Sequence, residues 1–330
     1  MTKQSNSTLN IQNSKLDFTP PHPLKTPVLF LVFNRLDTTK QVFEAIRQAK
    51  PPRLYIAADG ARESKEGEEQ KTQAVRDYVL SNIDWECEVK TLFRDKNLGC
   101  KYAVSSAITW FFQNEEMGII LEDDCLPSQS FFWFCEELLE RYKDDMRVGM
   151  ISGDNFQKGI KRGEADYYFS IYNHIWGWAS WANRWKIYDA NLSHFNNSNF
   201  INDLFEDRKT ISYWKEIYKK MKKELIDSWA YPWTFALWNN KQLTILPNTN
   251  LIKNIGFGVD ATHTIGESEF ANLKSFEIEL KNHPKEIERN FEADEFTSRL
   301  MFNKKSFFKR VVNKVKRLYC SPKRLDKLNV

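Results

Sequence analysis

The chain has 330 residues, enough to bury one large α/β core, and its five scattered cysteines form no C-x-x-C pair, which suits a reducing compartment and excludes a disulfide-stapled or zinc-ribbon scaffold. The net charge of +4 is uneven: residues 304–330 carry ten Lys or Arg against Asp326 alone, a balance of +9 that leaves −5 on the rest. An acidic body argues against a nucleic-acid-binding fold, and no apolar run approaches the ~18 residues of a membrane span.

Residues 1–26 are polar and proline-punctuated, lack the apolar stretch of a signal peptide, and are expected to form a disordered leader. Residues 27–33 (PVLFLVF) predict a fully buried strand. A helix follows over 38–49, with Thr38 and Gln41 as a capping box and Val42, Phe43, Ile46 and Ala49 on one face. The strand Arg53–Ala58 ends at Asp59-Gly60. A polar helix over 68–80 leads to a strand over 86–93, whose alternation of Cys87, Val89, Thr91 and Phe93 marks a less buried position. Asn97-Leu98-Gly99 makes a turn, and Ala103, Ala107, Trp110 and Phe111 supply the stripe of the next helix. Residues 117–121 form a short buried strand running into Glu122-Asp123-Asp124. A helix over 129–144 and the strand Val148–Ser152 complete this half. Beyond Asn155 the pattern loosens into aromatic-rich segments with a helix over about 212–226 and a strand over 243–246.

Strands alternating with helices over short connections predict an α/β fold, a mainly parallel Rossmann-like sheet with helices on both faces. Each early strand delivers polar residues past its carboxyl end: Asn34-Arg35, Asp59, Glu122-Asp123-Asp124 and Asp154-Asn155. Ligand crevices of open α/β sheets lie there. Three successive carboxylates repel one another, and a hard cation such as Mg²⁺ or Mn²⁺ would relieve that repulsion while completing its shell with substrate phosphates. The competing interpretation is a solvated acidic turn in which Asp124 caps a helix. Seven of the eleven tryptophans fall in two short clusters, one holding Trp176 and Trp178 and the other Trp229. Such rings stack on sugar faces or pack into cores.

With PVLFLVFNR, AADGAR, NLGC, IILEDDC, ISGDNF, WGWASWANRW and LPNTNLIKNIGFGVDATHT in that order, the chain resembles bacterial glycosyltransferases of GT-A type, distantly similar to the eukaryotic N-acetylglucosaminyltransferase I group. The resemblance spans roughly residues 27–264. It implies a GT-A domain over 27–303, made of a nucleotide-sugar-binding half (27–155) and an aromatic-rich acceptor-side half (156–303), followed by a basic amphipathic tail (304–330). It further implies metal-assisted transfer of a sugar from a nucleoside-diphosphate donor, of the UDP type, to a glycan or lipid-linked acceptor.

Residue by residue, the resemblance puts Arg35 and Asp59 near the base, Glu122 near the donor sugar, Asp123 at the ribose, and Asp124 and His263 at a Mn²⁺ or Mg²⁺ ion. Trp176, Trp178 and Trp229 would form the acceptor platform. The chain departs from the pattern at Ala230, where relatives carry the aspartate that acts as base; Asp227 and Asp260 are the nearest substitutes, and a silent nucleotide-sugar-binding protein is the alternative. A nucleotidyltransferase is a further alternative, but no Gly-rich phosphate loop follows the first strand. Phe307, Phe308, Val311, Val312, Val315 and Leu318 among the basic residues of the tail suggest contact with an anionic membrane, hence a cytoplasmic protein peripheral to the inner membrane face.

Overall fold

In the computed structural model, which describes residues 18–257, 270 and 273–302, the first apolar run becomes β1 (Val28–Val32), buried along its whole length. It is buried because it lies inside the sheet with helices on either side. Along the chain follow α1 (Leu36–Ala49), β2 (Arg53–Ala58), α2 (Glu68–Ser81), β3 (Glu88–Phe93), α3 (Gly99–Asn114) and β4 (Met117–Glu122). Next come β5 (Cys125–Pro127), α4 (Ser130–Tyr142), β6 (Val148–Ser152), β7 (Tyr167–Ser170), β8 (Trp178–Trp181), α5 (Ala182–Trp185), α6 (Arg208–Lys222), α7 (Ala230–Asn239), β9 (Leu243–Pro247), β10 (Ile252–Asn254) and α8 (Phe291–Thr297).

The main sheet runs β3-β2-β1-β4-β8-β6-β9-β7. Its first four strands are parallel, as are β6 and β9, whereas β8 lies antiparallel to both β4 and β6 and β7 runs antiparallel to β9. The mainly parallel, Rossmann-like α/β architecture is therefore present, with antiparallel strands in its second half. Period-two alternation splits the core into two layers. Val28, Phe30 and Val32 pack with residues of α1 and α4, and Leu29 and Leu31 pack with residues of α3 and α7. A third apolar cluster joins α6 and α7 through Trp214, Tyr218, Phe235 and Trp238.

Local chemistry moves several predicted boundaries. α1 starts at Leu36, so Thr38 lies inside the helix; the hydroxyls of Thr38 and Thr39 bond back to the Arg35 carbonyl at 3.2 and 2.6 Å and no capping box forms. α6 starts at Arg208 because Asp207 caps the Thr210 amide at 2.8 Å. Residues 18–26 of the expected leader pack on the domain: Phe18 lies 5.3 Å from Trp133, Leu24 is buried, and Glu136 takes the amides of Lys25 and Thr26 at 2.7 and 2.8 Å. β8 and α7 escape periodicity arguments because WASW and most of AYPWTFALWN are buried on every side.

Candidate functional site

Parallel pairing sets Val32 opposite Ala58 and Leu31 opposite Glu122, so β1, β2 and β4 end at one level. Beyond that level Asn34, Arg35, Asp59 and the acidic triplet line a cavity of about 420 Å³. A second, two-stranded ladder brings the late block of sequence to it. β10 pairs antiparallel with β5, with Asn254 opposite Cys125, and the Ile255 amide bonds to the Asp124 carbonyl at 2.8 Å. Gly256 then crosses directly over the acidic residues. A Cβ there would overlap the Asp124 carboxylate and come within 2.7 Å of Arg35 Nη1, so any larger residue would displace these two side chains.

One guanidinium holds the two aspartates of the triplet. Arg35 Nη2 donates to Asp123 Oδ1 at 2.5 Å and to Asp124 Oδ2 at 3.0 Å, and the Cys125 thiol donates to Asp124 Oδ1 at 3.2 Å. One cation cannot balance three carboxylates. Burial, followed by the charges of Asp124 and Asp123, pushes Glu122 up to about 8, against the opposing pull of Arg35 and of a hydrogen bond from the Trp229 indole. Burial raises Asp123 to about 6 although Arg35 opposes it. For Arg35 burial acts downward, but Asp123 and Asp124 together outweigh it and the guanidinium is held above its ordinary value.

Excess negative charge and an orphaned acceptor both suit a divalent cation. Asp123 Oδ2 is buried with no hydrogen-bond partner, and hard carboxylate oxygens match Mg²⁺ or Mn²⁺. Among the described residues no three His, Cys, Asp or Glu side chains converge as a ready metal cage. A divalent ion bound here would take one or two oxygens from Asp123 and Asp124, the share that such ions take from protein when phosphates and water supply the remainder.

The other predicted residues separate by what they touch. Both oxygens of Asp59 accept backbone amides: Oδ1 from Gly60 and Leu98, each at 3.0 Å, and Oδ2 from Leu98 at 3.0 Å and Gly99 at 3.2 Å. It lines the cavity and also ties the end of β2 to the 97–99 turn. Asp227 likewise lines the cavity, yet its carboxylate accepts the amides of Cys100 at 3.0 Å and Lys101 at 2.7 Å. That is the place of an anion at the first turn of a helix, whereas the sequence suggested a free base. Ala230, where an acid was expected, is the first residue of α7.

Trp176 reaches the cavity wall, edge-on to Phe257 at 5.7 Å, with its amide held by buried Asp154 at 3.0 Å. Trp178 and Trp229 correct the expected acceptor platform. They are 1% and 2% exposed and stack on each other at 5.6 Å inside the core, leaving no face for a ligand. Packing prevails here because β8 carries Trp178 into the sheet, between β4 and β6. Asp260, His263 and residues 304–330 lie outside the described residues. Gly256 and Arg62 were not singled out from sequence, although both sit in blocks that carry the resemblance, LPNTNLIKNIGFGVDATHT and AADGAR.

No family model matches the sequence, and no curated protein matches it. Solved structures to which the chain is similar include S. aureus TarS 1–349 at 9% identity and TM-score 0.37, covering 69% of this chain and 59% of that one. They also include the galactosyltransferase LgtC with donor and acceptor sugar analogs, at 12% identity and TM-score 0.32, covering 64% and 70%. UDP-glucose pyrophosphorylase in its apo form aligns at 11% identity and TM-score 0.32, covering 67% and 90%. Similarities of this size leave the function to be argued from the site's own geometry.

Proposed function

We propose that the protein is a glycosyltransferase that takes a nucleoside-diphosphate sugar, of the UDP type, and passes the sugar to a hydroxyl of a glycan or lipid-linked acceptor. The observation that carries this is the cavity at the shared ends of β1, β2 and β4, floored by Glu122, Asp123 and Asp124 with Arg35 between them. The strand-end crevice is where open α/β sheets hold nucleotides. A dianionic diphosphate would be repelled by the acidic triplet unless a cation intervened, and Asp124 with Asp123 would hold it. When bound, Mn²⁺ or Mg²⁺ offsets charge on the leaving diphosphate. Arg35 keeps the two aspartates in fixed orientation, and the Gly256 crossing with Phe257 and Trp176 covers the reacting end, which helps exclude water.

The test is direct. Purified protein incubated with a panel of nucleoside-diphosphate sugars and Mn²⁺ is expected to release nucleoside diphosphate slowly, and calorimetry is expected to show that Asp124→Ala loses metal-dependent nucleotide binding while circular dichroism stays unchanged. Equal metal-dependent affinity in folded Asp124→Ala would remove Asp124 from the site.

Inverting transfer needs a base on the acceptor hydroxyl, and the engagement of Asp227 with helix amides favours a second reading, nucleotide-sugar binding without transfer. Asp260 is then the remaining candidate base, with His263 as a second metal ligand. The same proposal places the protein in the cytoplasm, held at the inner membrane face by residues 304–330 with their +9 balance. Among the described residues no helix is long and apolar enough to cross a membrane. Sedimentation with anionic vesicles, with and without residues 304–330, tests the attachment: equal binding would overturn it.

A further inference from the structure

One buried carboxylate organises two residues of the cavity wall. Glu68, the first residue of α2, is only 4% exposed. It accepts the Arg62 amide at 2.7 Å, Arg62 Nε at 2.8 Å through Oε2, and Arg62 Nη2 through Oε1. The same Oε1 accepts Asn34 Nδ2 at 2.8 Å. Both Arg62 and Asn34 line the cavity. From these contacts we infer that Arg62 and Asn34 hold the nucleoside half of the donor, and that Glu68 is the residue that positions them; the inference rests on the proposed nucleoside-diphosphate sugar.

Three features favour the nucleoside over the phosphates. The first is charge. A fork-to-fork pairing neutralises the Arg62 guanidinium, and the Glu68 carboxyl is held below its ordinary range chiefly by that hydrogen bond from Arg62. Arg62 then offers hydrogen-bond donors with little net charge, which suits a base carbonyl or ribose oxygen better than a diphosphate. The second is orientation. An ionised carboxylate only accepts, so Glu68 forces the Asn34 amide to turn its NH₂ inward and leave Oδ1 as an acceptor at the wall. Among the described residues neither Asn34 Oδ1 nor Arg62 Nη1 has a hydrogen-bond partner, so an acceptor and a donor remain free on two residues that share the Glu68 carboxylate. The third is the backing of the wall. The Arg62 guanidinium lies over the Phe33 ring at 5.5 Å, which gives that wall a flat apolar backing.

The experiment takes the full-length protein with Mn²⁺ and measures, by competition calorimetry, the nucleoside diphosphate that binds most tightly among the uracil, cytosine, adenine, guanine and thymine forms, its parent nucleoside, and pyrophosphate. Arg62→Ala, at a partly exposed loop position, is expected to weaken the nucleoside and its diphosphate by the same factor, roughly tenfold as for one or two hydrogen bonds, and to leave pyrophosphate unchanged. Glu68→Gln is expected to act in the same direction, raising KM for the donor with kcat unaltered. Loss confined to pyrophosphate and the diphosphate would make Arg62 a phosphate ligand and overturn the inference while leaving the proposed function standing. Unchanged nucleoside affinity in both variants would also overturn it. Failure of the wild-type protein to bind any nucleoside diphosphate would bring down the proposed function and the inference with it.

Discussion

The Asp227 carboxylate takes the Lys101 amide at 2.7 Å across 126 residues of chain, which pins the segment before α7 to the start of α3. Its other oxygen takes the Cys100 amide. An acid at a helix start typically contributes about 1 kcal/mol. Asp227→Ala is therefore expected to lower the urea midpoint by roughly that energy, and Asp227→Asn, which keeps one acceptor, by less. An unchanged midpoint combined with a turnover loss of about 10²-fold or more would instead mark a general base.

Gly256 lies where a methyl group would strike the Asp124 carboxylate and crowd Arg35. Gly256→Ala is expected to keep the fold, read by circular dichroism, and to weaken Mn²⁺-dependent nucleotide binding at least about tenfold, the effect of misplacing a ligand group by about an ångström. Wild-type affinity in this variant would show that the crossing yields freely.

Glu122 gives a pH signature. Its folded value of about 8 stands above the ordinary carboxylate range, so the folded state binds this proton more tightly than the unfolded state does. The stabilisation is complete at low pH and is lost as pH rises through about 8. In EDTA, thermal unfolding of wild type and Glu122→Gln is expected to diverge from pH 5 to pH 8.5 in favour of the variant, with the gap narrowing when Mn²⁺ is added. A gap independent of pH would mean that Glu122 ionises normally.

Trp229 and Trp176 are expected to behave oppositely. Trp229 is stacked inside the core on Trp178, so Trp229→Ala is expected to cost about 3–5 kcal/mol of stability. Trp176 stands at the cavity wall, and Trp176→Ala is expected to change sugar-donor affinity with a smaller loss of stability. Chemical denaturation and calorimetry on both variants decide the matter; comparable stability losses would place Trp176 in the core as well.

Much of the nucleotide-side half was legible in sequence because its determinants are local. The apolar run of β1, the alternation in β3 and the breaks at Asp59-Gly60 and Asn97-Gly99 each lie within a few residues, and the strand-end rule then located Arg35, Asp59 and Glu122-Asp123-Asp124 at one crevice. Tertiary structure alone decided what those residues do to one another. Whether a tryptophan offers a face or packs in a core depends on which strand pairs beside it, and Trp178 is buried because β8 inserts between β4 and β6. Whether an aspartate is free or spent depends on amides far away in sequence, as Asp227 meets Lys101. The Gly256 crossing and the Glu68 pairing with Arg62 and Asn34 arise from loop closure and from a β5–β10 ladder joining segments more than a hundred residues apart. No periodicity records such contacts, because burial and hydrogen-bond partners are set by packing in space and not by spacing along the chain.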